Sequence, residues 1–207
     1  MTKLKIKKIS IASEGYIHCH SCFYSSQDGL SNDLKFTFST GINRLYGEID
    51  SGVWAVSYLL SMYSHSPQDF ILFKQPVAVV NGCDWSLANI SKYSCYMDTL
   101  YPLFAQKRSV KNLVIDSLKR EKSKYTSDNI RELFRMDSER FERPISGLGN
   151  EIFRAMAAIG YCNNKEIYCF PWLSKQRFEN YHGHLTDVLN ILDELEKIIV
   201  LPIGYNI

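Results

Sequence analysis

The sequence has almost no excess of charge of either sign and no long hydrophobic run. Its 24 basic and 22 acidic residues leave a net charge of +2, so it lacks the strong positive field of nucleic-acid-binding domains. The longest apolar stretches, residues 53–60 and 198–201, are far shorter than the roughly 20 residues of a transmembrane helix. Six prolines and 11 glycines are too few for a collagen-like or low-complexity chain. These absences argue against a nucleic-acid partner, a membrane-spanning chain and a fibrous protein.

The composition that remains is that of one globular domain. The chain has 207 residues, of which 45% are hydrophobic, 22% charged and 13% aromatic. This length allows one ample core, and the richness in aromatic residues suits surfaces that another molecule covers. No apolar segment of the signal-peptide type follows the basic start, so we expect a cytoplasmic protein with reduced thiols. Its six cysteines are Cys19, Cys22, Cys83, Cys95, Cys162 and Cys169.

The periodicity of apolar residues predicts an α/β architecture with one inserted group of helices. Alternating or compact apolar runs predict strands at residues 4–11, 33–39, 42–46, 77–80, 166–170 and 198–201. Helical spacing predicts helices at residues 53–63, 110–118, 127–134, 151–161 and 185–196. Either Ser127 or Asp128 is expected to be the N-cap of the third of these helices. Strands that alternate with helices favour a largely parallel sheet, so we predict a single domain over residues 1–207 with a helical subdomain over residues 98–144.

A loop between a predicted strand and a predicted helix has the length of a phosphate-binding loop. It is bounded by Gly47 and Gly52 and includes Ser51, which fits the spacing G-x-x-x-x-G-K-[ST]. Such a loop needs a lysine for the phosphates and a hydroxyl for Mg²⁺, but these two positions hold Val53 and Trp54. We therefore interpret it either as a degenerate phosphate loop or as an ordinary turn from strand to helix.

Taken in order, several segments make the chain resemble the nucleotide-binding domain of an ATP-binding-cassette (ABC) transporter. Residues 41–52 resemble the Walker A strand and loop, and residues 94–98 resemble the Q-loop before the helical subdomain. Residues 145–149 resemble the signature loop, and residues 163–170 resemble the Walker B strand. The resemblance implies a P-loop-NTPase-like parallel core, N-terminal antiparallel strands and a helical subdomain.

The same resemblance implies that the catalytic positions have been lost. The metal-binding aspartate of the Walker B motif falls on Pro171 and the catalytic glutamate on Trp172. The Q-loop glutamine falls near Met97, and the switch histidine falls on Ile203. Because phosphoryl transfer depends on placed cations, Mg²⁺ and a base that orients water, we do not expect an enzyme on its own. ATP and Mg²⁺ are expected only at a site shared with a partner cassette.

The signature-like loop is the motif in which this chain still carries residues of the family pattern. Ser146 and Gly147 are retained there, and Gly149 stands where the family has glutamine. In this family the loop closes over a nucleotide held by a second cassette, so the chain is expected to pair with another nucleotide-binding domain as a homodimer or heterodimer. It is also expected to dock on a transmembrane transporter subunit at the cytoplasmic face. Ser146 has an alternative interpretation as an ordinary helix N-cap.

Two further alternatives concern the aromatic residues and the function as a whole. Tyr96, Tyr101, Phe104 and Phe134 suit a groove for a membrane-subunit helix, but they equally suit a core. If the resemblance is a coincidence, the chain is a stand-alone α/β binding or regulatory module without ATPase activity or a membrane partner.

One cluster of soft-metal ligands stands apart from these motifs. His18, Cys19, His20 and Cys22 lie within five residues, yet a zinc site needs a second ligand pair at a defined spacing. The chain has no second C-x-x-C, so we interpret the cluster as structural rather than as a metal site.

Overall fold

The chain folds around two four-stranded sheets, of which the parallel one has helices on both sides. The structure, a computed structural model, describes residues 4–13, 17–19, 34–48, 53–63, 65, 70–72, 76–98 and 107–204. Its strands are β1 Lys8–Ser13, β2 Ile17–Cys19, β3 Leu34–Ser39, β4 Gly41–Tyr46, β5 Phe70–Leu72, β6 Val77–Val80, β7 Cys83–Trp85, β8 Ser94–Tyr96, β9 Ile167–Cys169 and β10 Ile198–Ile203. Its α-helices are α1 Val53–Met62, α2 Leu87–Lys92, α3 Val110–Arg120, α4 Ser127–Leu133, α5 Ser138–Phe141, α6 Ile152–Cys162 and α7 Lys175–Glu194.

The central sheet is parallel, with the strand order β4-β10-β9-β8. Ile198 lies opposite Gly41 on one side and Ile167 on the other. All residues of β9 and β10 are buried, which explains why these strands are continuous apolar runs without alternation. Successive residues of β10 point to opposite faces of the sheet, and each face packs in its own hydrophobic cluster. Val200 packs with α1, whereas Ile199 packs with α6 and α7. The predicted parallel α/β core is confirmed.

The second sheet is antiparallel and has the strand order β3-β1-β6-β7. Its inner face carries Ile9, Ile11, Phe38 and Val80, which pack in one cluster with α1. The outer face of β1 and β3 is mostly polar, so these two strands alternate as half-buried strands do, whereas β6 exposes Val77 there. The antiparallel layer is as expected, but the β7–α2–β8 segment had not been predicted in full. Helix α2 is only six residues long and begins at the N-cap Ser86, too short for a clear helical period.

Three helices, α3 to α5, precede the signature-like segment. The predicted N-cap of α4 was wrong, because Thr126 rather than Ser127 or Asp128 occupies that position. The Thr126 hydroxyl accepts from the backbone N–H of Asn129, whose side chain accepts from the backbone N–H of Thr126, so the pair forms a capping box. Phe134 is fully buried, so of the two interpretations of this ring, groove or core, the structure supports the core.

Helix α7 begins ten residues earlier than the sequence predicted. Ser174 caps it by accepting from the backbone N–H of Arg177. The first half of the helix is mostly exposed, and its apolar contacts come from Phe178 and Tyr181, so it lacks the apolar stripe that marks the second half. No helix of the described residues is both long and apolar enough to cross a bilayer.

Candidate functional site

The candidate site lies where β4, β9 and β10 end at one edge of the parallel sheet. Gly47 follows β4, Pro171 and Trp172 follow β9, and Gly204 follows β10. The backbone N–H of Gly47 donates to the carbonyl of Ile203 at 3.0 Å, so the segment after β4 continues beside β10. The carboxyl edge of a parallel sheet is where α/β folds bind their ligands.

Trp172 joins the segment after β9 to the segment after β4. Its indole N–H donates to the carbonyl oxygen of Gly47 at 2.9 Å. A Cβ added to Gly204 would lie 3.4 Å from the Trp172 ring and 3.8 Å from a carboxylate oxygen of Glu48. The two segments that were predicted to be degenerate Walker A and Walker B motifs therefore meet, and the Trp172 indole lies between the ends of three strands.

The remaining residues of the predicted phosphate loop are only partly described. Helix α1 begins at Val53, while Ser51, Gly52 and the Val53 side chain lie outside the described residues. Trp54 is 2% exposed and packs in the cluster between α1 and the antiparallel sheet. Its indole thus contributes to the core of the protein.

A hydrogen bond that was not predicted from the sequence holds α1 against the same edge. The Ser57 hydroxyl donates to the carbonyl of Phe170 at 2.6 Å, and both groups are buried. The N–H of Phe170 in turn donates to the carbonyl of Val200 at 2.9 Å. The backbone that leads into Trp172 is therefore tied both to the first helix and to the central strand.

The described residues of this edge carry negative charge and no positive charge. Residues 46–48, 97–98, 170–173 and 203–204, which are the described residues at the edge, include no lysine, arginine or histidine. They do include the carboxylates of Glu48 and Asp98, which repel phosphate. Met97 is fully buried, and its N–H donates to the carbonyl of Cys169 at 2.8 Å. These residues supply no positive charge that could compensate a triphosphate.

The signature-like residues lie on an exposed surface ahead of α6. Ser146 and Gly147 belong to a 3₁₀ turn, Ile145–Gly147, and Gly149 opens a second turn, Gly149–Glu151. All three residues are exposed. Gly149 has a φ of +53°, a conformation that favours glycine. The N-cap interpretation of Ser146 was wrong, because the residue before α6 is Glu151, which makes no side-chain capping bond.

A buried arginine, also missed from the sequence, lies directly behind this loop. The Arg154 guanidinium is 2.9 Å from the Asp187 carboxylate on α7 and 3.6 Å from that of Glu151. It also donates to the backbone carbonyl of Arg135 at 3.2 Å. These bonds connect the start of α6 to α7 and to the segment after α4, so they hold the loop in place relative to both.

The structure leaves the proposed metal-ligand cluster untested. His18 and Cys19 belong to β2, which pairs with β5, but their side chains, His20 and Cys22 lie outside the described residues. Among the residues that the structure describes, no three His, Cys, Asp or Glu side chains are grouped as metal ligands.

Comparisons with known proteins find matches in fold but none in sequence. No protein-family model matches the chain, and no curated protein matches its sequence. Solved structures match in shape over nearly the whole chain. An ATP-binding protein of an ABC transporter from Pyrococcus furiosus has a TM-score of 0.62 at 16% identity, over 97% of this chain and 92% of that one. The chain has the fold of an ATP-binding cassette.

Two further structures have the same cassette fold. An ADP-bound ATP-binding cassette of an ABC transporter has a TM-score of 0.59 at 12% identity, over 96% of this chain and 82% of that one. A bacterial Atm1-family ABC exporter with ATP bound has a TM-score of 0.59 at 9% identity, over 97% of this chain and 34% of that one. At sequence identities of 9–16%, the structural similarity shows the cassette fold alone. It confirms the predicted P-loop-NTPase-like fold class.

Proposed function

We propose that this chain is a non-catalytic nucleotide-binding-domain subunit of an ABC transporter. The observation that carries the proposal is the hydrogen bond from the Trp172 indole to the Gly47 carbonyl, at the edge where a cassette handles nucleotide. By the resemblance to the cassette family, Trp172 falls at the position of the catalytic glutamate. An indole N–H is only a donor, so it can neither accept a proton from water nor bind a metal ion.

The lack of cations at the edge supports the same conclusion. Catalysis of phosphoryl transfer is almost entirely positioning and charge stabilisation. Val53 stands in place of the Walker A lysine, and the described residues of the edge carry carboxylates but no cation. The chain on its own therefore neither binds Mg²⁺-ATP tightly nor hydrolyses it.

The signature-like loop supports a role toward a second cassette. Ser146, Gly147 and Gly149 are exposed and directly precede α6, a helix of 11 residues. Backbone N–H groups and a serine hydroxyl near the start of a helix suit a phosphate group presented by another molecule. The proposed subunit pairs with an intact cassette, completes that cassette's ATP site through this loop, and docks on a transmembrane subunit at the cytoplasmic face.

The proposal is tested in two stages. The purified chain is expected to show no Mg²⁺-dependent ATP hydrolysis above background and no micromolar binding of Mg²⁺-ATP by calorimetry. A tagged chain is then expected to co-purify from detergent-solubilised membranes with an intact cassette and a polytopic membrane protein.

The second stage also tests the loop. Ser146→Trp is expected to abolish ATP hydrolysis by the purified complex without dissociating it, whereas Ser138→Trp, an exposed position on α5, is expected to leave hydrolysis unchanged. Recovery of the chain without any membrane protein would instead support a stand-alone binding or regulatory module.

A further inference from the structure

A concentration of positive charge lies at the opposite edge of the parallel sheet from Trp172. The end of α3 carries Lys119 and Arg120, and the turn between α3 and α4 carries Lys122 and Lys124. Lys92 and Lys165, which lie near the amino ends of β8 and β9, extend the same area. We call these six residues, together with Tyr125, the basic turn surface.

Contacts between these segments hold the basic turn surface together. Arg120 donates to the side chain of Asn163, and Asn164 donates to the carboxylate of Glu121, so the turn after α3 lies against the turn after α6. Lys165 donates from Nζ to the carbonyl of Lys92 at 2.6 Å. Burial lowers the pKa of Lys165, and the nearby positive charge of Arg120 lowers it further. The cations therefore form one contiguous area.

Arg120 is paired with Glu121 at 3.8 Å, but among the described residues the exposed lysines of the turn are not paired. In the described part of the chain Lys119, Lys122 and Lys124 are exposed and have no ion-pair partner. Glu121 is the one carboxylate within the turn itself, and the nearby Asp116 is paired with Arg108 at 2.5 Å. The whole chain has a net charge of only +2, so the rest of the molecule is net negative and the positive field is local.

An exposed tyrosine lies beside the lysines. Tyr125 is 39% exposed, and its ring is tilted against that of Tyr161, with the ring centroids 6.2 Å apart. Tyrosine is enriched where a protein meets the headgroup layer of a bilayer, and lysine side chains can lie along such a layer with their charges in water. Single-stranded nucleic acid, in contrast, needs several aromatic platforms for its bases, and Tyr125 is the exposed ring among the described residues of this surface.

We propose that the basic turn surface binds the anionic headgroups of a lipid bilayer. Most of these cations are exposed and lie in turns or at helix ends, so they fit a plane of diffuse negative charge better than an extended acidic peptide. Lysines near an anionic membrane contribute roughly independently to binding. This interaction is independent of the transporter pairing proposed above, because it needs neither a second cassette nor a membrane subunit.

Vesicle co-sedimentation of the full chain tests the proposal. The wild-type protein is expected to pellet with vesicles of phosphatidylcholine containing phosphatidylserine, less so as salt is raised, and not with phosphatidylcholine alone. Because one lysine near the surface corresponds to about fivefold in partitioning, Lys122→Gln with Lys124→Gln is expected to weaken binding about 30-fold. The control pair Lys8→Gln with Lys35→Gln removes the same charge from the antiparallel sheet and is expected to change binding less than twofold.

The other outcomes each overturn the proposal. Failure to pellet with the phosphatidylserine vesicles, equal binding to both vesicle types, or equal losses in both lysine pairs would exclude this surface as a lipid site. Tighter binding to polyuridylate than to the vesicles at the same salt would assign the surface to nucleic acid instead. Thermal unfolding of both double variants at the wild-type midpoint shows that folding is intact, since all four lysines are exposed.

Discussion

The indole N–H of Trp172 donates to the carbonyl oxygen of Gly47 at 2.9 Å, although the two residues are 125 positions apart in the sequence. Gly47 is buried, so its carbonyl has little access to water as a replacement partner. The bond joins the ends of β4 and β9 at the candidate site. The indole N–H of Trp172 is the group that the first substitution removes.

Trp172→Phe is expected to lower the free energy of unfolding by about 1–3 kcal/mol, because it leaves a buried carbonyl without its donor. Urea denaturation followed by far-UV circular dichroism measures the change. Trp85→Phe is the matched control, since Trp85 is also half-buried and its described contact is with the ring of Tyr93. An equal loss in both variants would mean that Trp172 contributes through its ring alone.

Gly160→Ala is expected to destabilise the protein although alanine favours helices. A Cβ at this position in α6 would lie 3.1 Å from both the Cys95 sulfur and a ring carbon of Tyr168, two buried groups that cannot move freely. Overpacking of this kind costs about 1–3 kcal/mol. Gly183→Ala in α7 meets nothing within 4 Å and is expected to stabilise by about 0.5–1 kcal/mol. Thermal unfolding midpoints that shift in opposite directions would bear this out, whereas a stabilised Gly160→Ala would contradict it.

Breaking the buried ion pair of Lys197 and Glu166 is expected to lower the free energy of unfolding strongly. Replacing both residues by apolar ones is expected to lower it much less. Both side chains are about nine-tenths buried, so Glu166→Gln leaves an uncompensated charge and should cost about 3–5 kcal/mol. The double change Glu166→Leu with Lys197→Met is expected to recover most of that loss in urea denaturation. For comparison, Glu142→Gln breaks a more exposed pair with Lys111 and should lower the free energy of unfolding far less than Glu166→Gln does. A double variant no more stable than Glu166→Gln would show that the charges themselves are needed.

Stability is expected to fall at alkaline pH, in part because of Cys95. Burial raises the pKa of the Cys95 thiol from 9.0 to about 11, so between these values the folded chain holds a proton that the unfolded chain has lost. The contribution of the neutral thiol is therefore complete below pH 9 and is lost as the pH rises toward 11, at up to about 1.4 kcal/mol per pH unit. Urea denaturation at pH 8 to 11 is expected to show a smaller slope for Cys95→Ala than for the wild type. The exposed Cys83 provides the control, and a slope reduced equally by Cys83→Ala would refute the assignment.

The central sheet and its helices were largely readable from the sequence. Residues 167–169 and 198–203 are buried on both faces, so they had to be continuous apolar runs bounded by polar or proline residues. The second half of α7 was predicted because Leu185, Val188 and Leu192 lie at helical spacing on a buried face. Its first half was not predicted, since an exposed helical segment has no such stripe. The Thr126 cap was missed because several neighbouring residues have suitable side chains, and only the backbone geometry selects one.

The sequence by itself determined that the chain is of the α/β class and that a glycine-bounded loop, residues 47–52, is followed by Val53 and not by lysine. These properties depend only on residue type and spacing. Only the tertiary structure decided that Trp172 meets Gly47, that Ser57 holds the segment before Trp172, and that Arg154 lies behind the signature-like loop. Each of these contacts joins residues far apart in the chain. Periodicity reports which face of an element is buried, but the partner on that face depends on how the strands are ordered and how the helices cross them.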